Sequence, residues 1–328
     1  MKRALQMTKN IEHEVNQIPS IEVRGLTKNY GNLVAVDHVD LDIYEGEIFG
    51  MLGPNGAGKT TLINMLTTLL APTDGTAKVM GFDIEKQPKE IRKVIGVVFQ
   101  NTILEEDLTA RETLDIHARI YDIHKEDREK RISELLELFH LQDRQKDLVG
   151  TFSGGMKRRL EVAKGILHDP KVLFLDEPTV GLDPQSREII WRYIEKINQE
   201  NRMTILLTTH YLDEADRLCD RVGLIDHGRI TAQGTSESLK ASVSTKEVIE
   251  VELESLSEEA AQRIRQIGLV DEVVSEGNTL RITAEKGGKI FPKILERLNE
   301  KMKIKSISLQ KTTLNDVFLH YTGHEIRD

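Results

Sequence analysis

Gly53-Pro54-Asn55-Gly56-Ala57-Gly58-Lys59-Thr60-Thr61 is the stretch that decides the fold. Its residues 53–60 fit G-x-x-x-x-G-K-[ST], a loop whose backbone cradles phosphate groups. Glycine accepts backbone angles that other residues resist, so Gly53, Gly56 and Gly58 let successive N–H groups turn inward around an anion. Ahead of the loop, residues 47–52 read as a buried strand. Behind it, residues 59–70 read as a helix whose positive end faces the same phosphates. Lys59 would then reach the β- and γ-phosphates, and the Thr60 hydroxyl would hold Mg²⁺. Pro54, Asn55, Ala57 and Thr61 complete the candidate nucleotide-binding stretch. An ordinary glycine-rich turn is the bland alternative, and the strand–loop–helix context argues against it.

Working outward, residues 21 to about 234 alternate strands with helices, the pattern of an α/β domain. Residues 21–26 and 39–44 alternate apolar and polar side chains, as half-buried antiparallel strands do. Residues 95–99, 172–175 and 204–208 are continuous apolar runs, as in strands buried on both faces. Between Asn101 and Gly150 two amphipathic helices, 109–121 and 125–140, read as a helical insert. Near residues 231–238 the composition turns small and polar, a linker pattern. Residues 240–328 then give the order βαββαβ with a final helix at 314–321, a small ferredoxin-like α+β unit.

Two carboxylates extend the first motif. Asp176 and Glu177 follow the apolar strand 172–175, where a Mg²⁺ ligand (Asp176) and a base for the attacking water (Glu177) are needed. Gln100, after the strand 95–99, could reach the metal or the water from the other side. His210 follows the strand 204–209 and alone would read as a structural histidine. Ser153-Gly154-Gly155-Met156 opens a helix over 156–167 and gives a second N-terminal anion site. An ordinary capped helix start is the plain reading there, but a chain already carrying one phosphate loop needs a reason for another.

Taken in order, the phosphate loop, Gln100, Ser153-Gly154-Gly155, Leu175-Asp176-Glu177-Pro178, Gly181-Leu182-Asp183 and His210 resemble an ABC-type ATPase from residue 21 to about 234. Phe152 to Arg159 and the ending Leu314 to Leu319 resemble the daunorubicin-resistance type, ATPase subunits of ABC-2 exporters. The resemblance implies a mixed-sheet P-loop fold with an antiparallel β subdomain, a helical insert and a C-terminal accessory domain. It implies that Tyr30 stacks on adenine and that His210 contacts the γ-phosphate. It further implies two ATPase subunits closing head to tail, Ser153 with Gly154 and Gly155 covering the partner's ATP and Asp183 signalling across the interface. Met156 stands where many members have Gln, so backbone donation is kept there and a side-chain bond is not. The implied partners are a second copy and ABC-2 permease subunits, with the chain peripheral on the cytoplasmic face of the membrane.

Composition narrows the alternatives. The 328 residues carry a formal charge of −9, which excludes a general nucleic-acid footprint. No run approaches the ~20 apolar residues of a membrane helix, and residues 1–20 lack the apolar core of a secretory signal, so they read as a mobile lead. The one cysteine, Cys219, excludes an internal disulfide and a zinc knuckle, and a reduced cytosolic setting fits. A soluble ABC ATPase of translation, repair or chromosome organisation would be expected to show two cassettes, long coiled coils or zinc cysteines. A P-loop GTPase would need Asn/Thr-Lys-x-Asp, and Thr27-Lys28-Asn29-Tyr30 lacks the Asp.

Overall fold

The computed structural model describes residues 18–243, 246–254, 258–285, 287–299 and 303–324. They fall into two compact units, the first running to Thr235 and the second from Ser236 onward. The first opens with β1 (Pro19–Tyr30), β2 (Leu33–Tyr44) and β3 (Ile48–Leu52), followed by α1 (Lys59–Leu66), β4 (Asp74–Val79) and β5 (Phe82–Asp83). Next come α2 (Pro88–Val94), β6 (Ile95–Val98), α3 (Ala110–Ile120), α4 (Lys125–Leu138), α5 (Gly154–Gly165) and β7 (Val172–Asp176). It closes with α6 (Pro184–Asn201), β8 (Thr204–Thr209), α7 (Leu212–Leu218), β9 (Arg221–Asp226) and β10 (Arg229–Gly234).

The central sheet has the order β10-β9-β3-β8-β7-β6, parallel throughout except for the antiparallel β10–β9 pair. Its inner strands β3, β7 and β8 are buried at every residue. Side chains alternate between two cores: Leu173 and Leu175 join Leu114, Ile132, Leu160 and Ile190 on one face. Val172 and Phe174 join Phe49, Met51, Ile63 and Leu206 on the other. That two-sided burial is why these strands are continuous apolar runs. A second, antiparallel sheet of order β2-β1-β4-β5 lies in the unit, its β1–β2 hairpin alternating core residues Val23, Leu41 and Ile43 with half-buried or exposed ones. The unit thus combines a mixed sheet with an antiparallel β subdomain and a helical region, the architecture that the resemblance implies.

In the second unit α8 (Ser236–Val243) leads into β11 (Lys246–Leu253), α9 (Glu258–Arg265), β12 (Val270–Glu276), β13 (Thr279–Glu285), α10 (Gly287–Asn299), β14 (Ile304–Gln310) and α11 (Leu314–Thr322). The four strands form one antiparallel sheet ordered β12-β13-β11-β14. One face of it carries Ile249, Val251, Leu253, Leu280 and Ile282, which pack with Ile264, Ile290 and Ile294 of the two helices.

Some sequence readings differ from the structure. The helix after the phosphate loop stops at Leu66: the Thr67 hydroxyl donates back to the Ile63 carbonyl, and Thr68 takes a left-handed φ of 65°. Residues 231–238 are no linker, because small polar side chains there alternate along the edge strand β10 and Ser236 begins α8. The lead is shorter than residues 1–20, since Pro19 already belongs to β1; residues 1–17 lie outside the described residues. Of the helices that the sequence gives the second unit at 257–267 and 289–301, residues 257, 300 and 301 also lie outside the described residues. Among the described residues no helix is long and apolar enough to cross a membrane.

Candidate nucleotide site

The loop between β3 and α1 is held by its neighbours. Gly53 N donates to the Thr209 carbonyl at 3.3 Å, and Ala57 N to the Pro54 carbonyl at 3.2 Å. Glycine is required at both ends of the turn. A Cβ on Gly53 would lie 2.2 Å from the Ile225 carbonyl, and Gly58 has φ +106° with the Ala35 carbonyl 2.4 Å from where a Cβ would stand. Gly58 caps α1 without any side-chain hydrogen bond, so the first N–H groups of the helix have no capping side chain. Asn55, Gly56 and Thr60 are exposed at the mouth, Pro54 and Thr61 half-buried, and Ala57 buried. An uncapped helix end behind a glycine turn fits a polyphosphate.

Lys59 curls back over this loop. Its Nζ donates to the Gly53 carbonyl at 2.8 Å and the Pro54 carbonyl at 3.0 Å, and lies 3.1 Å from Glu177 Oε1. Both side chains of that pair are 4% exposed. On its other oxygen Glu177 receives Gln100 Nε2 at 3.2 Å and faces His210 Nδ1 at 3.4 Å. The structure therefore gathers Lys59, Gln100, Glu177 and His210 at one point, from the start of α1 and from just beyond the ends of strands β6, β7 and β8. Glu177 has a left-handed φ of 48°, and its N–H donates to both the carbonyl and the hydroxyl of Thr208. Asp176, 1% exposed, accepts from the Thr208 hydroxyl at 2.5 Å. One buried carboxylate with a nearby hydroxyl suits Mg²⁺, which takes its remaining ligands from substrate phosphates and water.

Tyr30, Ser153, Gly154 and Asp183 are exposed, and the hydrogen bonds of Ser153 and Asp183 are local. Ser153 caps α5 by accepting from Met156 N, so that helix begins at Gly154 rather than Met156. Asp183 caps α6 through Ser186 N at 2.9 Å and Ser186 Oγ at 2.6 Å, bonds that hold its carboxyl below the usual range. Gly155 is buried, with Ser186 Oγ 2.5 Å from where its Cβ would lie, so α5 and α6 start in contact. The Tyr30 ring has Lys28 Nζ 5.5 Å from its centroid.

Sequence reasoning missed two buried polar residues. Arg158 of α5 lies against backbone carbonyls near Gln100 and Glu177. Glu214 of α7, fully buried, accepts from Thr179 Oγ1 and Trp191 Nε1, both at 2.8 Å, and burial pushes its carboxyl upward. Only the i, i+3 spacing of Arg158 and Glu161 on one helix signalled the first in advance.

A family model described as ABC transporter matches residues 36–180, and one described as ATP-binding protein DrrA1-3-like, C-terminal domain, matches residues 234–322. The chain belongs to the ABC transporter family of ATP-binding proteins. It is 39% identical over 312 residues to the daunorubicin/doxorubicin resistance ATP-binding protein DrrA of Streptomyces peucetius, covering 94% of each chain. It is 35% identical to the linearmycin resistance ATP-binding protein LnrL of Bacillus subtilis (94% and 100% covered). The Nod factor export ATP-binding protein I of Cupriavidus metallidurans is 37% identical (94% and 99%). Among solved structures, an ATP-binding subunit of an ABC transporter aligns with TM-score 0.62 at 30% identity, covering 68% of this chain and 92% of that one. A dimeric ATP-binding cassette in a post-hydrolysis state bound to ADP and Pi aligns with TM-score 0.60 at 27% identity (66% and 98%).

Proposed function

We propose that the chain binds ATP with Mg²⁺ and hydrolyses it as the motor subunit of an ABC exporter, paired with a second copy and with separate membrane-spanning subunits. The observation that carries this reading is the convergence of Lys59, Gln100 and His210 on the Glu177 carboxylate beside the glycine loop. In it Lys59 and the loop N–H groups bind the phosphates, and Tyr30 carries the adenine. Glu177 takes the proton of the attacking water, Gln100 orients that water or the metal, and His210 contacts the γ-phosphate. Thr60 and Asp176, with Gln100, would hold Mg²⁺, which neutralises charge on the transferred phosphate.

In the dimer, Ser153, Gly154 and Gly155 cover the partner's ATP and Asp183 lies at the interface; the exposure of Ser153, Gly154 and Asp183 and the dimeric relative support this. The helical insert, residues 101–150, docks the ABC-2 type permease and holds the chain on the cytoplasmic face of the membrane. In support, a cavity of about 290 Å³ lined by Val97, Phe99, Ile103, His117, Tyr121 and His168 adjoins the strand end bearing Gln100. Ile103, Ile116 and Ile120 are exposed, apolar surface of the kind that marks an interaction site. Residues 21–236 form the ATPase domain and 240–328 an accessory domain. The test is phosphate release by the purified chain, alone and with a co-expressed membrane partner. Lys59→Ala should weaken both ATP binding and turnover, and a variant that hydrolyses ATP normally would overturn the reading.

A further inference from the structure

One guanidinium joins the helix that opens with Ser153-Gly154-Gly155 to the backbone that carries Gln100 and Glu177. Arg158 Nε donates to the Pro178 carbonyl at 2.7 Å, and Nη2 donates to the carbonyls of Asp176 and Glu177 at 3.0 and 3.2 Å. Nη1 donates to the Phe99 carbonyl and, at 3.1 Å, to Glu161 Oε2. An arginine has five N–H donors in a rigid fork, and these bonds engage every donor nitrogen of the group. The far oxygen of Glu161 accepts from Ile103 N at 2.8 Å, while Lys164 Nζ holds the Ile103 carbonyl at 3.0 Å. Arg158 and Glu161 are 5% and 3% exposed, so these bonds are not shared with solvent.

The carbonyls Arg158 collects flank the one site residue with a strained backbone. Glu177 adopts a left-handed φ of 48°, a conformation that persists in a non-glycine residue only where surrounding bonds impose it. Thr208 holds the amide side of that turn, and Arg158 holds its carbonyl side at residues 176, 177 and 178. The same side chain fixes Phe99, one residue before Gln100. A shift of α5 therefore moves the supports of Gln100 and Glu177 together.

We propose that Arg158, neutralised by Glu161, is a positioning residue for ATP hydrolysis: it sets the Glu177 carboxylate and the Gln100 amide against the phosphate without touching nucleotide. The inference rests on the roles proposed for Glu177 and Gln100, so Glu177→Gln is measured in parallel. Three full-length variants test it: Arg158→Lys, Arg158→Gln, and the double variant Arg158→Gln/Glu161→Gln. Arg158→Gln alone strands a buried carboxylate and is expected to lower the thermal midpoint; the double variant removes both charges and restores it. Lys keeps the charge against Glu161 but cannot serve four carbonyls from one nitrogen.

The expected result is that Arg158→Lys and the double variant bind Mg·ATP within about twofold of wild type, at an unchanged thermal midpoint. Their kcat should fall roughly 10–100-fold, the scale of a displacement of about 1 Å at a catalytic group. If both keep wild-type kcat while Glu177→Gln is inactive, the positioning role is overturned. If affinity, kcat and thermal midpoint fall together in both variants, Arg158 is merely structural and the inference is overturned as well. Normal turnover by Glu177→Gln would instead overturn the underlying base assignment, and the inference with it.

Discussion

Replacing Glu177 by Gln should move ATP affinity and turnover in opposite directions. Lys59 Nζ sits 3.1 Å from Glu177 Oε1 with both groups nearly sealed from solvent. At that distance, and at an effective dielectric of about 20, the gross attraction is roughly 5 kcal/mol, most of it offset by desolvation. The incoming phosphate must take Lys59 from this carboxylate and then stand beside the same negative charge. A hydrogen bond to a charged group has a net worth of about 1.5–3 kcal/mol, and an amide oxygen at residue 177 keeps about half of it. Releasing Lys59 should therefore tighten Mg·ATP binding by about 0.75–1.5 kcal/mol, a factor of roughly 4–13. The amide cannot accept the proton of the attacking water, so turnover should fall by about 10²–10⁴. Equilibrium titration with a fluorescent ATP analogue and steady-state phosphate release measure the two quantities. Near-normal hydrolysis, or weakened binding alongside lost hydrolysis, would refute the reasoning.

Three further outcomes are expected. Desolvation lowers His117 from its ordinary 6.5 to about 4, so folding favours its neutral form. That stability is present above 6.5 and lost as pH falls toward 4, no more steeply than one proton's worth, about 1.4 kcal/mol per pH unit; chemical-denaturation midpoints of His117→Phe should accordingly gain on wild type across that window, and a constant difference would contradict the sign. Burial raises the Glu214 carboxyl above its ordinary 4.5, the reverse case, with stability present below 4.5 and lost as pH rises through the folded value. Glu214→Gln still accepts from Thr179 and Trp191, so its stability relative to wild type should increase from pH 5 to pH 8, whereas Glu214→Ala should cost about 2–4 kcal/mol in urea unfolding. A chain ending at Thr235 keeps β10 paired with β9 and should bind ATP as the full chain does, while dimerisation, transporter assembly or coupling changes; loss of binding in a folded truncation would contradict the proposed domain boundary.

What the sequence disclosed was whatever is written in consecutive residues. The glycine loop is legible because a left-handed turn and close backbone approach, as at Gly58 beside Ala35, admit almost no other residue. Strands β7 and β8 are legible because burial on both faces demands unbroken apolar runs. Edge strand β10 was not, since half-exposed small polar side chains look the same in a strand as in a linker, and only pairing with β9 separates them. The overlong α1 is a milder case: Thr67 and Thr68 end the helix through a side-chain bond and a backbone angle that composition does not carry.

Arg158 shows why the remainder was hidden. Its partners come from residues 99, 161 and 176–178, and nothing in Lys157-Arg158-Arg159 distinguishes a buried fork from a solvated basic face. The motif residues that read clearly are those whose own backbone or charge would meet the phosphate in the proposed function. The residues that hold them in place meet only protein, and their identity is fixed by segments distant in sequence. In this chain the two classes share one helix: Ser153 at the exposed N-cap of α5, and Arg158 buried within the same helix. In the proposed dimer, closure of the partner's ATP onto Ser153 would therefore bear on the Glu177 turn through a rigid segment of helix and one side chain.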